Sequence, residues 1–205
     1  MRIGIGGYSG SGKSTCAHLL CAENCDIIDG DAEGKALMSN DRGIQKSLFD
    51  SFGPSVLKNG TIDFPFLSQT VFSCPDKLKL LNSIVHPPLI KVLKDRIDRS
   101  TFPVKILDAA LIPLWKIESW FDICLWVEAP IDIKTKRIRS KNPTLENSLI
   151  QNRIEFQKKL FPPPQGFPWK FVDNSGDIDA LKHSLLKNEF SDLIKQHLSR
   201  DLLNG

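Results

Sequence analysis

The chain has 205 residues, 41% of them hydrophobic, and a formal net charge of +3. A chain of this length and hydrophobic content can bury one substantial core, so we predict a single domain. The charge is small and only residues 134–141 are locally basic, which argues against nucleic-acid binding. No apolar run approaches the ~20 residues of a membrane span, and the N-terminus resembles a strand instead of a signal peptide. We therefore expect a cytoplasmic protein without nucleic-acid or membrane partners, acting as a monomer or weak homo-oligomer.

The 5 cysteines show no spacing typical of a metal site. In a reducing compartment, cysteines of this kind are small apolar residues of the interior. We therefore expect all of them to be free thiols, including the near neighbours Cys21 and Cys25.

The first predicted elements are a strand at residues 2–6, a glycine-rich loop and a helix at residues 15–22. The loop, GYSGSGKS at residues 7–14, matches G-x-x-x-x-G-K-[ST] in the strand–loop–helix setting that this pattern requires. Such a loop turns backbone N–H groups toward a polyphosphate, and the helix N-terminus adds positive charge. Lys13 can reach the β- and γ-phosphates, and the Ser14 hydroxyl can ligate Mg²⁺. The residues predicted to bind a nucleoside triphosphate are Ser9, Gly10, Ser11, Gly12, Lys13, Ser14 and Thr15.

A second predicted strand at residues 25–29 ends in acidic residues, with Asp29 and Asp31 at its carboxyl end. Ligands of open α/β sheets lie at that end. Phosphoryl transfer to a hydroxyl needs a carboxylate that orients the hydroxyl and accepts its proton. Asp31 is therefore the candidate base. The alternative, that these aspartates cap the following helix, stays open.

The remaining pattern alternates helices and strands, which predicts a parallel, doubly wound α/β sheet. An apolar run at residues 104–108 ends in Asp108, and a second at residues 123–127 is typical of a strand buried on both faces. A final short strand is predicted at residues 170–172. The predicted helices are residues 32–38, 43–52, 63–72, 75–84, 89–97 (after an interruption at residues 86–88), 115–120, 131–139, 145–159 and 178–203.

A basic run at residues 134–141 lies on one of these helices. It is either a solvated face or a cationic lid over the phosphates of ATP. In the lid interpretation Arg137 and Arg139 neutralise phosphate charge once the lid has closed.

Two missing motifs narrow the class of phosphate-loop protein. Guanine recognition needs an Asn-Lys-x-Asp segment, and the chain has none. Motor and transporter ATPases usually carry an apolar strand that ends in Asp-Glu, and this is also missing. A small-molecule kinase is the interpretation that remains strongest.

Several motifs follow one another in a fixed order: IGGYSGSGKS (5–14), IDGD (28–31), FG (52–53), G-x-x-D (60–63), VHP (85–87), R-x-x-x-Q (153–157) and VDNSG (172–176). In this combination the chain resembles the dephospho-coenzyme A (dephospho-CoA) kinase family over nearly its whole length. That family transfers the γ-phosphate of ATP to the ribose 3′-hydroxyl of dephospho-CoA, the last step of coenzyme A synthesis.

The resemblance implies a phosphate-loop NTPase fold of three layers with a five-stranded parallel sheet. It implies a core (residues 1–57, 102–135 and 168–205), an acceptor-binding helical region (58–101) and a lid (136–167). It also implies that Asp31 is the base, that ATP and Mg²⁺ are used, and that Asn174 lies near the adenine. The catalytic set is then Asp31, Lys13, Arg137 and Arg139, and the candidate substrate-binding residues are Asp29, Asp31, Asp63, His86 and Asp108.

The chain departs from the family at two places. Phe64 follows Asp63 where the family commonly has arginine, and the glutamate that commonly follows the third strand is missing after Asp108. His86 has a second interpretation as a buried ring between helices. Two other functions therefore stay open: a related kinase acting on a nucleoside or nucleotide, and a regulator that binds ATP with little turnover.

Overall fold

The computed structural model describes residues 1–21, 24–143 and 145–187. Its strands are β1 (Arg2–Gly6), β2 (Cys25–Asp29), β3 (Leu57–Lys58), β4 (Thr61–Ile62), β5 (Val104–Asp108), β6 (Ile123–Glu128) and β7 (Trp169–Asp173). Its α-helices are α1 (Lys13–Leu20), α2 (Gly30–Asn40), α3 (Arg42–Phe52), α4 (Phe64–Phe72), α5 (Pro75–Arg99), α6 (Ile112–Trp115), α7 (Ile131–Lys141), α8 (Asn147–Leu160) and α9 (Ile178–Lys187). Two short 3₁₀ helices span Pro54–Val56 and Glu118–Trp120.

Five of the strands form one parallel sheet in the order β2-β5-β1-β6-β7. The order confirms the predicted doubly wound α/β fold. In the register of the sheet, Ile5 of β1 lies beside Asp108 of β5. The carboxyl ends of these two neighbouring strands therefore meet at one edge of the sheet.

The chain divides into two compact units, residues 1–28 with 100–205 and Asp29–Arg99. The predicted division into a core, an acceptor-binding region and a lid stays a prediction.

In the first unit, side chains pack against both faces of the sheet. On one face Ile3, Ile5 and Leu125 pack in a buried cluster with Ala17 of α1 and Leu181 of α9. This pattern is expected because alternate side chains of a strand point to opposite faces.

The opposite face of the sheet carries aromatic rings. A Cβ atom at Gly6 would lie only 3.0 Å from ring carbons of both Trp126 and Trp169, so the glycine leaves space for the two indoles. The Trp126 ring meets those of Tyr8 and Phe161 edge-on, at 5.0 and 6.4 Å.

The second unit holds α2 to α5 and a hairpin of β3 and β4. The hairpin turns at Asn59 and Gly60, which both have positive φ, a backbone conformation that asparagine and glycine adopt in tight hairpin turns. Its core joins Leu48, Val56, Leu67 and Val71 with residues of α5.

The predicted break at residues 86–88 is wrong, because α5 is one helix that contains Pro87 and Pro88. Proline removes a backbone donor and usually ends or kinks a helix. Here buried side chains recur every four residues on both sides of the prolines, at Val85, Leu89 and Leu93. The packing of this stripe maintains the helix through the prolines.

Several bounds differ from the predicted ones. The predicted helix at residues 115–120 is two short pieces, α6 and a 3₁₀ helix, and α8 begins two residues later than expected. The closing helix is described as far as Lys187, and residues 188–203 of the prediction lie outside the described residues.

The prediction of five free thiols is wrong for Cys21 and Cys25, which form a disulfide. α1 ends and β2 begins close together, with the two Cα atoms 5.4 Å apart, a separation that a disulfide can span. Cys16 and Cys124 are buried free thiols, and burial raises the pKa of each to about 12.

Candidate active site

The phosphate loop joins β1 to α1 and ends at Gly12, which has a φ of 95° in the left-handed region. Inside the loop the Ser11 N–H donates to the Tyr8 carbonyl at 3.1 Å. The backbone N–H groups of the first turn of α1 have no partner within the helix, and this turn holds no acidic side chain. A helix start of this kind can bind an anion, and Lys13 is the first residue of α1.

Asp108 lies beside the predicted metal ligand. The Ser14 hydroxyl donates to Asp108 Oδ2 at 2.6 Å, and Asp108 is only 6% exposed at the carboxyl end of β5. We predicted an acceptor-binding role for this aspartate, and the structure brings it to the phosphate loop. In phosphate-loop NTPases, a loop Ser or Thr and a strand-end Asp together hold Mg²⁺. The signal in the sequence was an apolar run that ends in Asp108.

Arg137 and Asn174 converge on the carbonyl of Ser11. The Asn174 Nδ2 atom donates to this oxygen at 2.7 Å, and the Arg137 Nη1 atom donates to it at 3.3 Å. The Arg137 Nη2 atom also donates to Asn174 Oδ1 and to the Gly176 carbonyl, both at 3.3 Å. Both predicted site residues therefore contact the phosphate loop.

Arg139 lies elsewhere. It lines a cleft of about 730 Å³ between α7 and α8, together with Lys136, Asn147 and Gln151. Two positions along a helix are about 200° apart around its axis, so Arg137 and Arg139 project in different directions. Their joint action in a lid stays a prediction.

The sequence analysis missed contacts that tie the phosphate loop to α8. The Ser9 N–H donates to Gln157 Oε1 at 2.9 Å, and the Tyr8 hydroxyl donates to the Phe161 carbonyl at 3.0 Å. Burial, with the charge of Glu128 adding to it, raises the pKa of Tyr8 to about 12, so the phenol is a lasting donor. The R-x-x-x-Q motif contained Gln157 but gave no indication of its partner.

A partly buried ion pair lies beside the loop. Lys134 of α7 pairs with Glu128 at the end of β6, and its ammonium lies 5.2 Å from the centre of the Tyr8 ring. The basic run suggested surface or lid cations, but Lys134 is buried.

In the second unit, two predicted acidic residues cap helices. The Asp29 carboxylate accepts from the N–H groups of Asp31 and Ala32 at 2.9 and 3.0 Å, at the start of α2. Asp63 accepts from the Phe66 N–H at 2.9 Å, at the start of α4. Asp31 is exposed in the first turn of α2, and its carboxylate has no hydrogen-bond partner among the described residues. The capping alternative therefore fits Asp29, and the Asp31 side chain is left accessible.

His86 lies half-buried in α5, and burial lowers its pKa from 6.5 to about 4. Within residues 1–21, 24–143 and 145–187, no three His, Cys, Asp or Glu side chains form a group that could hold a metal. The helices of the same ranges are all too short or too polar to cross a membrane.

A family model described as dephospho-CoA kinase matches residues 1–160. The chain belongs to the dephospho-CoA kinase family. A dephospho-CoA kinase from Fusobacterium nucleatum is 31% identical over 164 residues, which cover 78% of this chain and 84% of the relative. One from Oryza sativa subsp. japonica is also 31% identical, with coverage of 88% and 79%.

Solved structures of other proteins share the fold of this chain. A crystal structure of TT1252 from Thermus thermophilus is 26% identical and has a TM-score of 0.69, covering 90% of this chain and 94% of its own. A dephospho-CoA kinase from Campylobacter jejuni covers 96% and 98%, has a TM-score of 0.57 and is 16% identical, so it supports the fold alone. The family resemblance of the ordered motifs is confirmed.

Proposed function

We propose that the protein transfers the γ-phosphate of ATP to the ribose 3′-hydroxyl of dephospho-CoA. The observation that carries the proposal is the pairing of Ser14 with Asp108 at the phosphate loop, in a chain whose residues 1–160 match the family. The loop supplies N–H groups and Lys13 to bind the phosphates. Catalysis of phosphoryl transfer consists mainly of such positioning and charge stabilisation. A cytoplasmic location and a monomer or weak homo-oligomer stay predictions.

Ser14 and Asp108 fit a Mg²⁺ ion. Both offer oxygen ligands, and Mg²⁺ in kinases takes one or two protein oxygens together with substrate phosphates. The ion would neutralise charge on the β- and γ-phosphates when bound. The hydrogen bond between the two side chains supports this assignment because it holds both oxygens at one place.

Asp31 is our proposed base. Its exposed carboxylate makes no hydrogen bond within the described part of the chain, whereas that of Asp29 is engaged by backbone N–H groups. An accessible carboxylate can accept a hydrogen bond from a substrate hydroxyl and take its proton as the phosphoryl group transfers.

The acceptor is tested directly with a panel. The protein is incubated with ATP and Mg²⁺ and, in separate reactions, dephospho-CoA, adenosine and AMP, and ADP release and product mass are measured. We expect turnover with dephospho-CoA and a product one phosphate heavier, modified at the 3′-hydroxyl. Turnover only with adenosine or AMP would assign a nucleoside or nucleotide kinase. Slow hydrolysis without any acceptor, with tight ATP retention, would assign a regulator.

Lys13→Ala should abolish most of this turnover while the fold stays intact. Lys13 stabilises charge on the transferring group, and removing such a group costs on the order of a hundredfold or more. Lys182→Ala is the matched control, because Lys182 is exposed on α9 and pairs with Asp179 one turn away. Circular dichroism should be unchanged in both variants. Wild-type turnover in Lys13→Ala would show that the loop is not the catalytic phosphate site.

A further inference from the structure

The Ser11 carbonyl is the one group of the phosphate loop that receives two side-chain donors among the described contacts, from Asn174 and Arg137. We propose that Asn174 is a positioning residue that shapes the phosphate loop by holding this carbonyl, and that it does not act by contacting the adenine. The inference rests on the proposed function only in that the loop binds the phosphates of ATP.

The orientation of the Ser11 carbonyl matters for phosphate binding. A phosphate loop binds anions because successive N–H groups face the ligand. A peptide carbonyl turned into the same cradle would present negative partial charge to the phosphates. The Ser11 carbonyl and the Gly12 N–H belong to one peptide and point in opposite directions. Donors that hold the Ser11 oxygen away from the phosphates therefore favour the orientation in which the Gly12 N–H can donate to them.

Asn174 is well placed to fix this peptide. It is 4% exposed, and its own N–H donates to the Glu128 carbonyl at 2.8 Å, which ties it to the end of β6. A Cβ atom at Gly12 would overlap Asn174 Nδ2, so the amide packs directly on the loop backbone. The Asn174 amide thereby links the Ser11 carbonyl to the carboxyl end of β6.

Both ends of the amide are used in this arrangement. Nδ2 donates to the Ser11 carbonyl, and Oδ1 accepts from Arg137. The arginine in turn reaches the Ser11 carbonyl itself, so the three groups form a closed triangle of hydrogen bonds. An amide that holds the loop in this way acts on the phosphates of any ligand, with or without a nucleoside.

Inorganic tripolyphosphate separates the two roles because it offers phosphates without adenine. The dissociation constants of ATP and of tripolyphosphate are measured by calorimetry for the wild type, Asn174→Ala and Asn174→Asp. Asn174→Asp keeps the size and an acceptor for Arg137 but loses the donor. Ser175→Ala and Ser175→Asp are matched controls, because exposed Ser175 bonds only to Asp173 among the described contacts and the second variant adds the same charge one residue away.

We expect both Asn174 variants to weaken ATP and tripolyphosphate by the same factor, about tenfold beyond their controls, because a buried acceptor loses its best donor. Weaker ATP binding with unchanged tripolyphosphate binding would overturn the proposal and assign Asn174 to the nucleoside. Unchanged binding of both ligands would overturn it as well. These binding measurements contain no dephospho-CoA. Their outcome therefore does not depend on whether dephospho-CoA is the acceptor, and the two proposals can fail separately.

Discussion

At the scale of single residues, Lys134 is a charged side chain that lies in the interior of the protein. Its side chain is 2% exposed while that of its partner Glu128 is 36% exposed. Removing one partner of a buried pair costs about 3–5 kcal/mol, and the exposure of Glu128 reduces this. Lys134→Met should therefore lower the free energy of unfolding by about 2 kcal/mol in urea denaturation.

Lys136→Met is the control for this variant, because Lys136 is an exposed residue of the same helix. It should change the free energy of unfolding by less than about 0.5 kcal/mol. Equal effects of the two substitutions would mean that the buried pair has no special role in stability.

The partly buried His86 side chain should make the stability of the fold depend on pH. Its folded-state pKa of about 4 lies below its ordinary 6.5, so the unfolded chain binds more protons between these values. The stability that His86 contributes is complete above pH 6.5 and is lost as the pH falls toward 4. Urea denaturation across this range should show a steeper loss for the wild type than for His86→Asn. Parallel curves for the two proteins would contradict burial of a neutral imidazole.

At the scale of elements, the start of α2 carries both a helix cap, Asp29, and the proposed base, Asp31. Asp29 accepts from two backbone N–H groups, so Asp29→Ala should lower the free energy of unfolding by about 1 kcal/mol. Asp29→Asn should restore it, because asparagine caps as well as aspartate. Asp31→Ala is the matched control and should leave stability nearly unchanged. A larger loss in Asp31→Ala than in Asp29→Ala would reverse the two assignments.

The elements that the sequence predicted well are those with local signals. The phosphate loop follows from glycines and a lysine within eight positions, and the strands of the sheet follow from short apolar runs. The continuous α5 was missed because the proline signal at residues 86–88 is local, whereas the packing that overrides it comes from α2, α3 and α4. Propensity is a weak indicator wherever tertiary packing decides the outcome.

The side-chain contacts to the phosphate loop could not be predicted from the sequence, because they join residues that are far apart along the chain. Asn174 meets Ser11 across 163 positions of sequence, and Gln157 meets Ser9 across 148. No spacing rule links residues so far apart. The order of the strands and the packing of α8 bring them together, and both emerge only from the folded chain.

At the scale of the whole molecule, the sheet order brings the predicted phosphate loop and Asp108 to one edge of the sheet. β5 lies next to β1, so the carboxyl end of one strand leads into the phosphate loop and that of the other presents Asp108. Ligands of open α/β sheets bind at this end of the strands. Family membership identifies dephospho-CoA as the substrate of the transfer, and we propose that Asp31 serves as its base.

The rate of phosphoryl transfer to dephospho-CoA by Asp31→Asn at saturating ATP tests this claim most directly. The substitution keeps the shape of the side chain and removes the base, so the rate should fall roughly a hundred- to ten-thousand-fold. The ATP dissociation constant, measured on the same variant, should stay near that of the wild type, because in our proposal the loop and Lys13 bind the phosphates and Asp31 does not. A transfer rate close to wild type would contradict the account, and so would a lost rate that comes with lost ATP binding.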